Sequence, residues 1–133
     1  MQGAHLGSSL DGTLHVVQEA DQIVTVSLEG DFDLTNAPAV GEQIDRALDG
    51  NNHVIIDLSQ AMFIDSSIIR ALIRASKTAD LRGRTAVLAL GTAAIVERAI
   101  EVAGISRVLP RAHTRAEAVQ IIQECSKHSV DPA

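Results

Sequence analysis

Several groups of residues in this chain could do chemistry. Asp65, Ser66 and Ser67 stand in a row, and Arg70 follows four residues after Ser66. Two hydroxyls beside a carboxylate, with a guanidinium one helical turn on, could hold or accept an anionic group. Asp31 and Asp33 flank Phe32 at strand-like spacing, so both carboxylates can face one side. His53, Asp57 and Ser66 supply the residue types of a hydrolytic triad, but no Gly-x-Ser-x-Gly elbow surrounds any serine. The other histidines, His5, His15, His113 and His128, are scattered, and Cys125 is the only cysteine. That pattern offers no metal-ligand spacing and no internal disulfide. No Gly-x-x-x-x-Gly-Lys-Ser/Thr loop is present to cradle a nucleotide.

Each group also has a plain explanation. A serine at a helix start most often caps or begins the helix and does nothing more. Two aspartates at a strand end are most often a solvated pair. Asp57, at the end of an apolar run, can orient the following loop by accepting backbone N–H groups, or can simply be exposed.

The elements that must position these residues are centred on the stretch from Val54 to Gly83. Val54 to Leu58 reads as a strand buried on both faces. A loop follows, and Ile68, Ile69, Leu72, Ile73 and Ala79 then fall on one helical arc, with Ala75 and Ser76 beside them and Arg70, Arg74 and Lys77 opposite. Asp65 suits the N-cap, with Ile64 and Ile69 spaced as a hydrophobic staple, although Ser66 could cap instead. Gly83 stands where a left-handed residue would end the helix.

Upstream, Leu14 to Gln18 and Ile23 to Leu28 read as a hairpin joined at Ala20-Asp21-Gln22. Val24, Val26 and Leu28 alternate with Thr25, Ser27 and Glu29, as one covered face requires. Gly30-Asp31-Phe32-Asp33 is expected to leave the sheet. Asn36 then caps a helix, with Pro38 in its first turn and Gly50 at its end. Downstream, Ala86 to Leu90 is a strand, and Thr92 caps a helix with Ile95, Val96, Ala99, Ile100 and Ala103 inward and Gly104 beyond its end. Arg107-Val108-Leu109 is a last strand stopped by Pro110. Thr114 and Glu117 have capping-box spacing for a final helix from Arg115 to about Cys125, with Ala118, Val119, Ile121, Ile122 and Cys125 inward. The order β-β-α-β-α-β-α-β-α defines an α/β fold: a mixed, mostly parallel sheet with an antiparallel N-terminal hairpin and about four packed helices. The helix start after Ile64 then lies at the carboxyl end of a strand, where such sheets place their sites.

The chain resembles the STAS domain, specifically the bacterial anti-sigma-factor antagonists. Asp57-Leu58-Ser59, Asp65-Ser66-Ser67 and Gly30-Asp31-Phe32-Asp33 match that family's motifs, and the order of elements extends the resemblance from about Leu14 to about Cys125. The glycine that follows the two serines in the family is Ile68 here; glycine permits close approach of a partner's backbone and isoleucine obstructs it. The resemblance implies a non-enzymatic switch without a cofactor. Such a protein binds an anti-sigma factor, often itself a serine kinase, and so frees a sigma factor. Phosphorylation then ends the interaction, and a phosphatase would reverse it. By position the acceptor is Ser66, with Ser67 as fallback. Asp31, Asp33, Asp65, Ser66, Ser67, Arg70 and Arg74 make up the implied partner surface. Two other readings stay open: a STAS module of another signalling or transport assembly with structural serines, and a small hydrolase using Ser66.

Composition narrows the partners. With 133 residues, 46% of them hydrophobic, one domain with one sizeable core is expected. Its core is expected over about 13–126, with flexible tails at about 1–12 and 127–133. The net charge of −6 and a lack of aromatics beyond Phe32 and Phe63 disfavour nucleic acid. No run is long enough for a membrane span and no secretory signal is visible, so a cytoplasmic location is expected.

Overall fold

The computed structural model describes residues 12–92 and 94–129. The tails at 1–11 and 130–133, the link between Thr92 and the next helix, and the side chain of Ile95 lie outside the described residues. Strands β1 (Gly12–Ala20) and β2 (Ile23–Phe32) form the antiparallel hairpin, closed by a turn in which Gln22 takes φ 61°. Then come α1 (Ala37–Asp49), β3 (His53–Asp57), β4 (Ala61–Ile64), α2 (Ser66–Leu81), β5 (Ala86–Ala89), α3 (Ala94–Ala103), β6 (Arg111–Ala112) and α4 (Arg115–Ser129). The sheet order is β1-β2-β3-β5-β6, with β4 attached to β2 outside that path. Every pairing except β1–β2 is parallel. Among the described residues the fold is thus the mixed α/β sheet with four helices that the pattern implies.

β2 organises the sheet because it is long enough to serve two partners on one edge. Ile23 to Ser27 pair with His53 to Asp57, and Gly30 to Phe32 pair with Ala61 to Ile64. One face of the sheet carries the larger core, where Leu28, Phe32 and Ile56 meet Ile44 and Leu48 of α1, Ile68 and Leu72 of α2, and Ile100 of α3. On the other face α4 lays Ala118 and Ile122 over Ile23, Ile55 and Val87. β3 lies between these layers with every residue buried, as its unbroken apolar run requires.

The structure corrects several expectations. Gly30, Asp31 and Phe32 do not leave the sheet but extend β2, because the segment after Asp57 supplies the strand β4 where a loop was expected. Four residues without regular alternation carry too little pattern to announce a strand. Thr25 and Ser27 are buried like their apolar neighbours, so β2 is covered on both faces from Ile23 to Leu28, while Glu29 is exposed as expected. Arg107-Val108-Leu109 is no strand: Ile105–Arg107 form a 3₁₀ turn, and the two-residue β6 follows Pro110. Proline lacks an N–H but keeps its acceptor, and its carbonyl takes the Leu88 N–H at 2.9 Å, so pairing starts there. α1 ends at Gly50 with φ −81°, and Asn51 supplies the left-handed turn at φ 67°. Ala103 and Cys125 are exposed, while Val96 and Ile100 carry the α3 stripe and Ala118 and Ile122 that of α4, which runs on to Ser129. β1 begins at Gly12, a residue expected in the tail.

Candidate functional site at the start of α2

Asp65 is the N-cap of α2. Its Oδ1 accepts the backbone N–H of Ser67 at 2.8 Å and of Ile68 at 3.3 Å, which offsets two of the free donors of the first turn. Ser66 is therefore not the cap but the first helical residue. Ile64 is buried and Ile69 packs against the core, as a staple requires. The far end closes as expected at Gly83, φ 67°, with the Arg84 N–H reaching the Ala79 carbonyl at 2.8 Å and that of Gly83 reaching Asp80 at 3.1 Å.

This register fixes the three residues that follow the cap. Ser66 is exposed and Ser67 half-buried. Ile68 is 0% exposed and belongs to the main core. The expected obstruction of a partner by Ile68 is thus overturned, because the side chain fills the interior and presents nothing outside.

The Asp31–Asp33 segment lies alongside. Asp31 pairs with Phe63 and Phe32 with Ile64, and the Asp65 N–H donates to the Phe32 carbonyl at 3.2 Å. Both carboxylates are exposed while Phe32 between them is buried. Asn36, although at the N-cap position of α1, makes no side-chain cap. It is buried instead, with Nδ2 donating to the Asp31 carbonyl at 3.2 Å and Oδ1 accepting the Asp33 N–H at 2.8 Å. The Asp33 carboxylate accepts from the Thr35 hydroxyl and, at 2.9 Å, from the Thr35 N–H. Those bonds, the hydroxyl first, hold Asp33 below the usual carboxylate range. Gly12 is needed beneath this segment: a Cβ there would come within 2.5 Å of the Asp31 carbonyl oxygen.

Arg70 and Arg74 fall on a second, adjoining patch. With Ser67 they line a groove of about 990 Å³ between α1 and α2, whose opposite wall carries Glu42, Asp45 and Asp49. The candidate residues therefore form a cluster of Asp31, Asp33, Asp65 and Ser66 where β2 and β4 end, continuous through Ser67 with a basic helix face. Arg70, one turn beyond Ser66, makes no ion pair among the described residues.

A triad is not assembled. His53 opens β3 and Asp57 closes it, about 13 Å apart by strand rise. The His53 Nδ1 accepts the Thr85 N–H at 3.0 Å, and burial, then the charge of Arg84, lowers the pKa of the ring. Asp57 is 4% exposed, which overturns the exposed alternative. Its Oδ1 accepts the Ser59 N–H at 2.9 Å and so orients the loop before β4. Its Oδ2 accepts from Arg115 Nε at 2.6 Å, while Arg115 Nη2 donates to the Ser27 hydroxyl at 3.1 Å. Arg115 and Gly12 carry no site role in the sequence reading, and Asn36 carries only that of a helix cap. Arg115 is 58 residues from Asp57 in the chain, and no local pattern signals that contact. Among the described residues no three His, Cys, Asp or Glu side chains come together as metal ligands, and no helix is long and apolar enough to cross a membrane.

The sheet order, the four helices and the capped serine pair define a STAS domain, and the chain belongs to that family, whose model matches residues 15–118. Among solved structures it is similar to an anti-sigma factor antagonist from Mycobacterium paratuberculosis, at 24% identity and a TM-score of 0.72 over 89% of this chain and 99% of that one. It is also similar to an anti-sigma-factor antagonist (STAS) domain protein from Planctomyces limnophilus, at 25% identity and a TM-score of 0.68 over 83% and 97%. A third similar structure is the Bacillus cell fate determinant SpoIIAA in its phosphorylated form, at 16% identity and a TM-score of 0.64 over 82% and 98%. No curated protein matches the sequence.

Proposed function

We propose that this protein is an anti-sigma-factor antagonist that acts by binding and is switched off by phosphorylation of Ser66. The observation that carries this reading is the register of α2. With Asp65 as cap, Ser66 is the first helical residue and stands exposed. The rigid body of the helix, anchored by Ile68 and Leu72 at 0% exposure, lies directly behind it.

The geometry supports a switch that acts at the surface. A phosphoserine carries about −1.5 to −2 charges at neutral pH. The N–H groups of Ser67 and Ile68, which could have received a phosphate, already donate to Asp65. The Asp65 carboxylate repels a second anion. A phosphate on Ser66 therefore points outward, where the positive end of the helix and Arg70 are its nearest compensation. The fold stays as it is, and the modification acts on whatever docks there. In the bound state that partner is an anti-sigma factor, and the kinase that modifies Ser66 is the same protein or one associated with it. Location in the cytoplasm and reversal by a phosphatase follow from this reading.

Incubation of the purified protein with the cognate kinase and ATP tests it. One phosphate, mapped to Ser66 and lost in Ser66→Ala, is expected. A label on Ser67 would move the acceptor by one residue. If no kinase of the organism modifies the protein, the switch is wrong.

A further inference from the structure

β4 breaks the alternation expected of a strand. Ala61 and Ile64 are buried, whereas Met62 is 70% exposed and Phe63 47%. Regular pleating would place Ala61 with Phe63 on one face and Met62 with Ile64 on the other. The register explains the break. Gly30 pairs with Ala61, but the next residue, Asp31, pairs with Phe63, so Met62 has no partner across the ladder. This is a bulge in a parallel pair, a rare setting. Gly30 opposite it has φ 97°, which suits glycine. Bulges bend a strand and re-aim its side chains. This one turns two large apolar residues outward in succession, immediately before Ile64, Asp65 and Ser66. Single exposed apolar residues are ordinary on protein surfaces; here a backbone irregularity produces a pair of them beside the acceptor, bordered by the exposed Asp31 and Asp33.

We propose that Met62 and Phe63 form an apolar knob that seats in an apolar pocket of the anti-sigma factor, bordered on the Asp31 side by lysine or arginine side chains. This rests on the function proposed above and adds the residues and the chemistry of the partner surface. Aromatic and methionine side chains are enriched at interface cores, and methionine adapts to irregular pockets. The carboxylates of Asp31 and Asp33, on a chain of net charge −6, select a basic rim and steer the encounter. A phosphate on Ser66, three residues beyond Phe63, sits at the base of the knob. Its bulk and hydration shell must be displaced to seat the knob, and that cost outweighs attraction to a rim on the far side.

The test uses an anti-sigma factor of the same organism that binds the unmodified wild type, with titration calorimetry at low and high salt beside thermal melts. Met62→Glu is expected to melt with wild type, because the residue is mostly outside, and to bind at least about tenfold more weakly. Should Met62→Glu melt lower, Met62→Ser serves in its place. Asp31→Asn is expected to bind more weakly at low salt and to lose affinity less steeply as salt rises. Wild-type affinity in the Met62 variants would overturn the knob while leaving the function standing. An unchanged salt dependence in Asp31→Asn would overturn the basic rim. If the wild type itself binds no anti-sigma factor, the underlying function fails, and that result is distinct from both others.

Discussion

Asp65 and Ser66 are neighbours with opposite duties. The carboxylate faces inward to the helix donors, and the hydroxyl faces out. Asp65→Ala is expected to lower stability by about 1 kcal/mol, the usual worth of an N-cap, in urea unfolding. Asp65→Asn should recover most of that loss, since the amide oxygen can still accept. A second residue-scale expectation concerns His53. Its folded pKa is depressed, so the neutral ring contributes stability that is complete above the unfolded pKa of about 6.5 and is lost as pH falls through the folded value. Protonation would also remove the acceptor that the Thr85 N–H uses. Urea midpoints should therefore fall from about pH 8 to about pH 5, and fall less in His53→Gln. An equal fall in the variant would assign the slope to other groups. At this scale much was legible. The cap, the staple and the outward serine followed from spacing, because they depend only on residues within one turn. Asn36 was legible as a helix cap, a position it holds without its side chain capping. Its actual partners, Asp31 and Asp33, lie across a bend that the sequence does not display.

Elements are joined here by contacts that no periodicity reveals. Asp57 at the end of β3 fixes the loop before β4 through Ser59 and fixes α4 through Arg115, which also reaches Ser27 and lies 3.6 Å from Glu19. Glu19 in turn accepts from the Thr25 hydroxyl at 2.8 Å. That network is why Thr25 and Ser27 can be buried in β2, contrary to the one-faced pattern of their stretch. Arg115→Ala would leave the Asp57 carboxylate buried with one partner fewer. A loss of about 1–3 kcal/mol is expected in chemical denaturation, since the buried group keeps its desolvation cost. Arg115→Ala with unchanged stability would mean that apolar packing alone holds α4 to the sheet. The missed β4 has the same lesson. Its existence depends on β2 outrunning β3, a matter of relative strand length that becomes visible only when the strands are paired.

Across the whole molecule, the α/β class, the hairpin and all four helices were legible, because long amphipathic stretches with caps declare themselves. The edge of the sheet was not: Pro110 looked like the end of a strand and proved to be the start of pairing. The two covered faces make the molecule a rigid support, and the expected switch is correspondingly one of surface and not of fold. A negative charge at Ser66 meets a favourable helix dipole worth about 0.3–1 kcal/mol and disturbs no buried group. At a docked surface the same charge meets desolvation, where each ~1.4 kcal/mol is tenfold in affinity.

The most direct test compares Ser66→Asp with wild type in thermal melts and in calorimetric titration against the anti-sigma factor. A melting temperature close to wild type together with at least about tenfold weaker binding is expected. A variant that melts far lower, or one that stays folded and binds as tightly as wild type, would contradict the account.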